Sequence, residues 1–207
     1  MTRRNLWFVT FSLALLALGT ADDVRAQVIG VYQPAKSQIE VFGGYSYLRS
    51  NSAVSGAPIN LNGASVSMAF YLRNWLGLVG DAGLYHQGNV AASEFSLTVS
   101  TFQAGPRLRW RNHTPLTPFG QLLLGAGHAG GTLYTRSLGP GLSPLGTNNS
   151  FVLTGGGGVD WKLSPRIGIR LFQAEYLYSQ FLNGSGNGNR QDNLRLSAGI
   201  VFSFGND

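Results

Sequence analysis

The stretch Asn193-Leu-Arg-Leu-Ser-Ala-Gly-Ile-Val-Phe-Ser-Phe204 alternates strictly between two sets of positions. The even-numbered positions are all apolar: Leu194, Leu196, Ala198, Ile200, Phe202 and Phe204. The odd-numbered positions are mostly polar or small: Arg195, Ser197, Gly199, Val201 and Ser203. A period of two predicts a β-strand with one apolar and one polar face. The stretch is longer than the roughly 9–11 residues that a tilted strand needs to cross the hydrocarbon of a bilayer.

The same period recurs along the chain and predicts eight strands. Most of them reach or exceed the crossing length, whereas strands in soluble proteins average about 5–6 residues. Their predicted bounds are about 38–48, 63–73, 76–86, 94–110, 118–129, 151–162, 166–181 and 193–204.

The connections between these strands alternate in length. Those at 74–75, 111–117 and 163–165 are short, whereas those at 49–62, 130–150 and 182–192 are longer and rich in Gly, Ser, Asn and Pro; the connection at 87–93 is the one short connection on the long side. Short periplasmic turns and long external loops are typical of an up-and-down outer-membrane barrel. We therefore predict an all-β fold, an eight-stranded antiparallel transmembrane β-barrel with both chain termini on the periplasmic side.

The N-terminal segment has the pattern of a secretory signal peptide. A basic start at Arg3 and Arg4 precedes an uncharged apolar run, and Val24-Arg25-Ala26 supplies the residues of a cleavage site. The apolar run is shorter than the roughly 20 residues of a membrane-spanning helix. We expect cleavage after Ala26, export to the outer membrane, and a single barrel domain over 27–207.

The composition restricts the classes of function. Charged residues make up 12% of the chain, against about 25% in average soluble proteins. Basic residues are scattered and do not interleave with aromatic residues, so nucleic-acid binding is not expected. The sequence contains no cysteine, which excludes disulfides and a lipid anchor on an N-terminal cysteine.

Two predicted strands break the alternation. In the fourth strand Leu97 and Val99 are odd-numbered, but Phe102 and Leu108 are even-numbered. In the seventh strand Arg170 and Glu175 have opposite parity, which would send one charge into lipid. Because a β-bulge inserts one residue and reverses the parity, we predict bulges near 100–101 and 173–174. The alternative for the seventh strand is that Glu175 already lies above the bilayer.

Charged residues on the polar faces are predicted to point into the lumen. Buried charges must be paired, so these residues predict either a salt-bridge network that plugs the barrel or a narrow, gated ion path. Eight strands leave an interior that side chains just fill, which favours the plug. The predicted lumen charges are Asp81, Arg107, Arg109, Asp160, Lys162, Arg170, Glu175 and Arg195.

Three tryptophans lie beside the predicted short turns, namely Trp75, Trp110 and Trp161. Tryptophan prefers the boundary between membrane and water. These residues therefore predict an aromatic girdle at the periplasmic end of the barrel.

The last strand also carries the pattern of the signal read by the outer-membrane assembly machinery, at Ser197, Gly199, Phe202 and Phe204, although three residues follow it. Together with Val41-Phe-Gly-Gly-Tyr45-Ser-Tyr47, Ala104-Gly-Pro-Arg107 and Gly156-Gly-Gly-Val-Asp160, it resembles the OmpA-like outer-membrane β-barrel domain family. The resemblance covers nearly all of 38–204 and implies an eight-stranded barrel with the assembly machinery and outer-membrane lipids as partners. It implies no particular activity, because this fold hosts structural proteins, adhesins and lipid enzymes.

Catalytic, metal and cofactor sites are not expected. The histidines are His86, His113 and His128, and none has the ligand spacing of a metal site or the serine spacing of a lipid deacylase. We therefore predict a non-enzymatic outer-membrane protein with a structural or surface-interaction role, in which the loop at 130–150 is the strongest candidate for binding an unknown partner. The alternatives are a lipid-modifying enzyme that uses His86 with Ser93 and Glu94, a narrow-pore channel, and a secreted barrel of the lipocalin type.

Overall fold

The computed structural model describes residues 38–51, 58–88, 96–111, 114–131, 148–181 and 190–205. The predicted signal peptide and its cleavage site, Ser93, Glu94, His113 and most of the loop at 130–150 lie outside these residues. Within the described ranges, no helix has the length and apolar character to cross a bilayer.

Eight antiparallel strands form a closed barrel in which each strand pairs with its neighbours in sequence and the last pairs with the first. This confirms the predicted eight-stranded antiparallel up-and-down barrel. The strands are β1 (Gln38–Ser50), β2 (Ile59–Tyr71), β3 (Leu76–Gln87), β4 (Leu97–Arg109), β5 (Leu116–Gly130), β6 (Asn148–Lys162), β7 (Ile167–Ser179) and β8 (Gln191–Phe204).

The short connections all lie at one end of the barrel, which we call the turn end, and the long connections lie at the opposite end, the loop end. Several strands extend further toward the loop end than their sequence predicts. β2 begins at Ile59 and β6 at Asn148, although asparagine is a poor strand former. Cross-strand hydrogen bonds hold these extensions, as where Tyr47 Oη donates to Asn60 Oδ1 at 2.6 Å.

The outer wall of the barrel is apolar over most of its height. Side chains of alternate residues on every strand point outward and are largely exposed, for example Met68 at 60% and Phe102 at 64%. Other members of this apolar wall are Val66, Phe70, Leu78, Leu84, Leu122, Leu124, Phe151, Leu194, Leu196, Ile200, Phe202 and Phe204.

A β-bulge in β7 brings both of its charges into the lumen. Val159 pairs with Phe172 but Asp160 pairs with Arg170, so Leu171 is the extra residue. The register with β8 shifts in the same place, between Arg170 and Gln173. Leu171 and Phe172 both point outward as a result. The predicted bulge at 173–174 therefore exists but lies two residues earlier, and Glu175 faces the lumen.

The predicted bulge at 100–101 in β4 is wrong. The register of β4 is continuous with β3 and with β5 from one end to the other. Leu97 and Val99 point inward, where they pack in an apolar cluster that includes Leu48, Leu177 and Phe181. The prediction failed because it assumed a lumen that is polar over its full height.

The lumen instead has two layers. An apolar layer fills the loop end and consists of Leu48, Ile59, Leu61, Tyr85, Leu97, Val99, Ala129, Val152, Leu177 and Phe181. Charged and amide side chains occupy the middle and the turn end, together with a smaller apolar cluster of Ala69, Tyr71, Val79 and Leu123.

Glycine allows close approach of neighbouring strands at several inward positions. A Cβ on Gly63 in β2 would lie 1.9 Å from the carbonyl oxygen of Leu84 in β3. At the seam that closes the barrel, Gly44 in β1 pairs with Gly199 in β8. A Cβ on Gly44 would lie 2.2 Å from the carbonyl oxygen of Ala198. Side chains at these positions would push the strands apart.

We expect Gly63→Ala to lower the free energy of unfolding by about 1–3 kcal/mol, because the added methyl group overpacks against backbone that cannot move independently. The matched control is Gly80→Ala on the outer wall, where nothing lies within 4 Å of the Cβ position. Urea unfolding of the refolded chain in detergent would measure both. Equal midpoints for the two variants would contradict this account of Gly63.

Candidate functional site in the barrel lumen

Arg195 lies at the centre of the lumen and connects three strands. From β8, its Nε donates to Glu175 Oε2 in β7 at 2.6 Å. Its Nη1 donates to Asp81 Oδ1 in β3, also at 2.6 Å. The exposed fraction is 0% for Arg195, 1% for Glu175 and 7% for Asp81. These ion pairs therefore lie almost entirely out of contact with solvent.

Glu175 also accepts hydrogen bonds from two glutamines. Gln121 Nε2 in β5 donates to Glu175 Oε1 at 2.6 Å, and Gln173 Nε2 donates to Glu175 Oε2 at 2.7 Å. Both carboxylate oxygens are thus satisfied, as a buried carboxylate requires. Three donors hold this carboxylate in one position.

Arg170 extends the network toward the turn end. Its Nε and Nη2 form a bidentate pair with the two carboxylate oxygens of Asp160, at 2.7 and 3.0 Å. Its Nη1 donates to Gln173 Oε1 at 2.7 Å. The guanidinium carbon lies 4.3 Å from the ring centroids of both Phe42 and Phe119. A planar cation packs favourably on aromatic faces in this way.

Arg107 completes the middle layer without a carboxylate partner of its own. Its Nε donates to Gln121 Oε1 at 2.7 Å, and its guanidinium carbon lies 4.7 Å from the centroid of Phe119. Its Nη2 is buried with no hydrogen-bond partner among the described residues. Gln121 therefore connects Arg107 to Glu175, and the Phe119 ring packs against the guanidinium groups of both Arg107 and Arg170.

Arg109 forms a second group at the turn end. It donates from Nη1 to Glu40 Oε1 at 2.5 Å, from Nη2 to Gln38 Oε1 at 2.8 Å, and from Nε to the carbonyl oxygen of Asn74 at 2.7 Å. The ring centroid of Tyr71 lies 3.4 Å from its guanidinium carbon. A recess of about 260 Å³ opens below this group at the turn end, and Lys162 and Asp160 line it.

The charges of the lumen balance. Arg107, Arg109, Arg170 and Arg195 lie inside together with Glu40, Asp81, Asp160 and Glu175. Sequence reasoning missed Glu40, although its even number in β1 places it on the same face as Phe42 and Ser46. Lys162, predicted as a lumen charge, is instead exposed at the mouth, because β6 ends there.

Several uncharged polar groups in the lumen have no partner within the described ranges. They are Ser67 Oγ, Thr101 Oγ1, Thr154 Oγ1 and both side-chain amide atoms of Gln103. Ser67, Asp81 and Gln103 are cross-strand neighbours on β2, β3 and β4. Buried polar atoms of this kind are commonly satisfied by internal water molecules.

The two described histidines lie on the outer wall near the loop end. His86 Nδ1 is 2.9 Å from Thr98 Oγ1, and His128 Nδ1 is 2.7 Å from Asn149 Oδ1. Neither contacts a carboxylate in these hydrogen bonds. Among the described residues, no group of three or more histidine, aspartate or glutamate side chains could hold a metal ion.

The other predicted residues are distributed over the outer wall and the closure seam. Trp75, Trp110 and Trp161 are exposed on the outer wall at the turn end. In β8, Ser197 points inward and its Oγ lies 2.7 Å from Ser46 Oγ in β1. Gly199 pairs with Gly44, and Phe202 and Phe204 belong to the apolar outer wall.

Comparisons with known proteins support the fold. No protein family model and no curated protein matches this chain. This chain is similar in structure to Ail, the attachment invasion locus protein of Yersinia pestis, whose crystal structure is in complex with the heparin analogue sucrose octasulfate. The TM-score is 0.55, with 18% identity over 82% of this chain and 99% of that one. Neisserial surface protein A gives a TM-score of 0.59 and 17% identity over 80% and 97% of the two chains. At these identities the likeness shows a shared eight-stranded barrel fold.

We expect Glu175→Ala to lower the free energy of unfolding by about 3–5 kcal/mol, because it leaves Arg195 with only one buried carboxylate and removes the acceptor of two glutamines. The control is Asp192→Asn, which breaks the Arg190–Asp192 ion pair, whose side chains are 66% and 41% exposed. Its cost should be about 1 kcal/mol or less. Urea midpoints measured by tryptophan fluorescence would compare them, and a wild-type midpoint for Glu175→Ala would refute a stabilising role for the network.

Proposed function

We propose that this chain is an integral outer-membrane β-barrel protein with a sealed lumen, a structural or surface-interaction role, and no catalytic activity. The observation that carries the proposal is the inverted distribution of polarity. Large apolar side chains such as Met68 and Phe102 are more than half exposed on the wall, whereas four arginines are at most 2% exposed inside. Soluble monomers rarely expose contiguous apolar patches larger than a few hundred Å². A lipocalin-type barrel would have the opposite arrangement.

The height of the apolar wall supports a bilayer as its surroundings. In β8 it runs from Leu194 to Phe204. With a rise of about 3.3 Å per residue and a tilt of about 40°, this stretch spans roughly 25 Å along the barrel axis. The apolar band of outer-membrane barrels is also about 25 Å tall.

The orientation of the barrel in the membrane follows from the tryptophans at the turn end. We assign the turn end, with its three exposed tryptophans, to the periplasm, where they form an aromatic girdle. The loop end then faces the outside. The loop at 130–150 remains the strongest candidate for contact with an external partner.

Export and assembly complete the proposal. A signal peptide cleaved after Ala26 directs the chain to the periplasm, and the pattern at Ser197, Gly199, Phe202 and Phe204 is read by the assembly machinery. The position of this pattern supports the role, because β8 forms the seam with β1. Closure of the barrel therefore requires the strand that carries the signal.

The side chains of the lumen and the partners of the histidines favour this role over a channel or an enzyme. The charged layer and the apolar layer lie one above the other in the lumen, and their buried side chains support a filled interior rather than an open channel. His86 and His128 contact a hydroxyl and an amide, not the carboxylate that would orient a catalytic base.

After expression of the full chain in a Gram-negative host, the protein should be found in the outer-membrane fraction, with residues 1–26 removed by cleavage after Ala26. The folded protein should migrate differently in gels before and after boiling, because a closed barrel resists detergent unfolding. Recovery of the chain from periplasm or medium without detergent would contradict the proposal.

Purified protein in planar bilayers should show no steady single-channel conductance in concentrated potassium chloride, because side chains fill an eight-stranded interior. Protein that has been heat-unfolded before addition is the control for contaminating pores. Reproducible conductance steps from the folded protein alone would support the narrow-pore alternative instead.

A further inference from the structure

A recess of about 540 Å³ lies on the outside of the barrel at the loop end, where β1, β8 and β7 lie side by side. Its lining includes Arg49, Asn51, Tyr176, Asp192 and Leu194. Arg49 and Leu194 are cross-strand partners, as are Leu194 and Tyr176. Three neighbouring strands therefore contribute outward side chains to one site, and the volume lies within the roughly 300–1,000 Å³ of small-molecule sites.

Arg49 is the cation that this recess offers to a ligand. It is exposed, and within the described ranges it forms no ion pair or side-chain hydrogen bond. The other charges nearby already match each other, because Arg190 Nε lies 3.0 Å from Asp192 Oδ1. The recess therefore has one uncompensated positive charge, and a guanidinium binds phosphate oxygens in bidentate geometry.

The remaining polar groups select for more than a bare anion. The Asp192 carboxylate, which accepts a hydrogen bond from Tyr176 Oη, would repel a simple phosphate but would accept hydrogen bonds from hydroxyl groups. The Asn51 side-chain amide offers both a donor and acceptors at the same rim. A phosphorylated sugar carries both the phosphate and the hydroxyl groups that this set of side chains would bind.

The wall below the recess is apolar. Leu194 is 44% exposed, and Leu196 and Tyr45 continue the exposed surface toward the turn end at 41% and 56%. A ligand whose polar head lies in the recess would therefore have its apolar part against the lipid-facing wall. This arrangement fits an amphiphile better than a soluble sugar.

We propose that this recess binds the phosphorylated sugar headgroup of an outer-leaflet glycolipid, with Arg49 paired to the phosphate and the acyl chains lying along Leu194 and Leu196. The inference rests on the proposed outer-membrane location, because it needs the recess to lie at the level of the outer-leaflet headgroups. It names the lipid partner that the barrel would select from the surrounding membrane.

The test uses the full mature chain in phosphatidylcholine nanodiscs and a fluorescent, acylated glucosamine disaccharide bisphosphate as the probe. We expect Arg49→Gln to weaken binding about tenfold, because it removes one charge-assisted hydrogen-bonding group. The matched control is Arg73→Gln, which removes an exposed arginine at the turn end and should leave the affinity unchanged. The same lipid without phosphates should bind to wild type as weakly as the bisphosphate binds to Arg49→Gln.

Three results would overturn the inference. They are equal affinity of wild type and Arg49→Gln, equal binding of the phosphate-free lipid, and full competition by soluble glucosamine phosphate, which would assign the recess to a soluble sugar. Gel migration before and after boiling reports insertion separately. A chain that inserts but does not bind the probe disproves this inference alone, whereas a chain that fails to insert contradicts the proposed function as well.

Discussion

Arg195 crosses the lumen from β8 and forms ion pairs with Glu175 in β7 and Asp81 in β3. In an interior shielded from water, each of these charges would be costly alone, and the attraction between them compensates only if the geometry is good and the remaining lone pairs are satisfied. The two glutamines on Glu175 meet that requirement. The other buried arginines of the middle layer are connected to this centre through the same glutamines, because Gln121 binds Arg107 and Gln173 binds Arg170. The barrel is therefore held from inside by side chains that connect strands distant in sequence.

The bulge in β7 follows from the same constraint. Arg170 and Glu175 are five positions apart, so a regular strand would place one of them on the apolar wall. Inserting Leu171 costs one irregular pairing with β6 and β8 but keeps both charges inside and both Leu171 and Phe172 outside. The alternative, an unpaired charge on the apolar wall, costs about 2–4 kcal/mol for a basic residue at the middle of a bilayer. A local distortion of the backbone is the smaller cost.

The alternation of side chains was enough to predict the number of strands, their order and the face on which most residues lie, because a period of two is a local property. It also predicted correctly that seven of the eight charges lie inside the lumen, whereas the eighth, Lys162, is exposed at the mouth. It did not reveal Glu40, which lies in a strand with many small and aromatic residues, or the glutamines, which are uncharged and so did not stand out.

The false bulge at 100–101 has a different origin. Parity shows which way Leu97 points only if the polarity of the lumen at that height is known, and that depends on side chains from other strands.

The apolar layer and the charged layer of the lumen are stabilised in different ways. Near the loop end, Leu177 in β7 and Phe181 just after it pack in the buried apolar cluster and need no polar partners. In the middle, long side chains reach across the lumen to other strands, as Arg195 does with its planar, forked set of donors. Tyr85 connects the two layers, since it packs in the apolar cluster while its hydroxyl lies 3.4 Å from Arg195 Nη1. A lumen filled in this way leaves the outer rim and the loops as the surfaces through which the described barrel can interact with other molecules. Arg49 lies on that outer rim rather than in the lumen, and its charge takes no part in the ion pairs that stabilise the barrel.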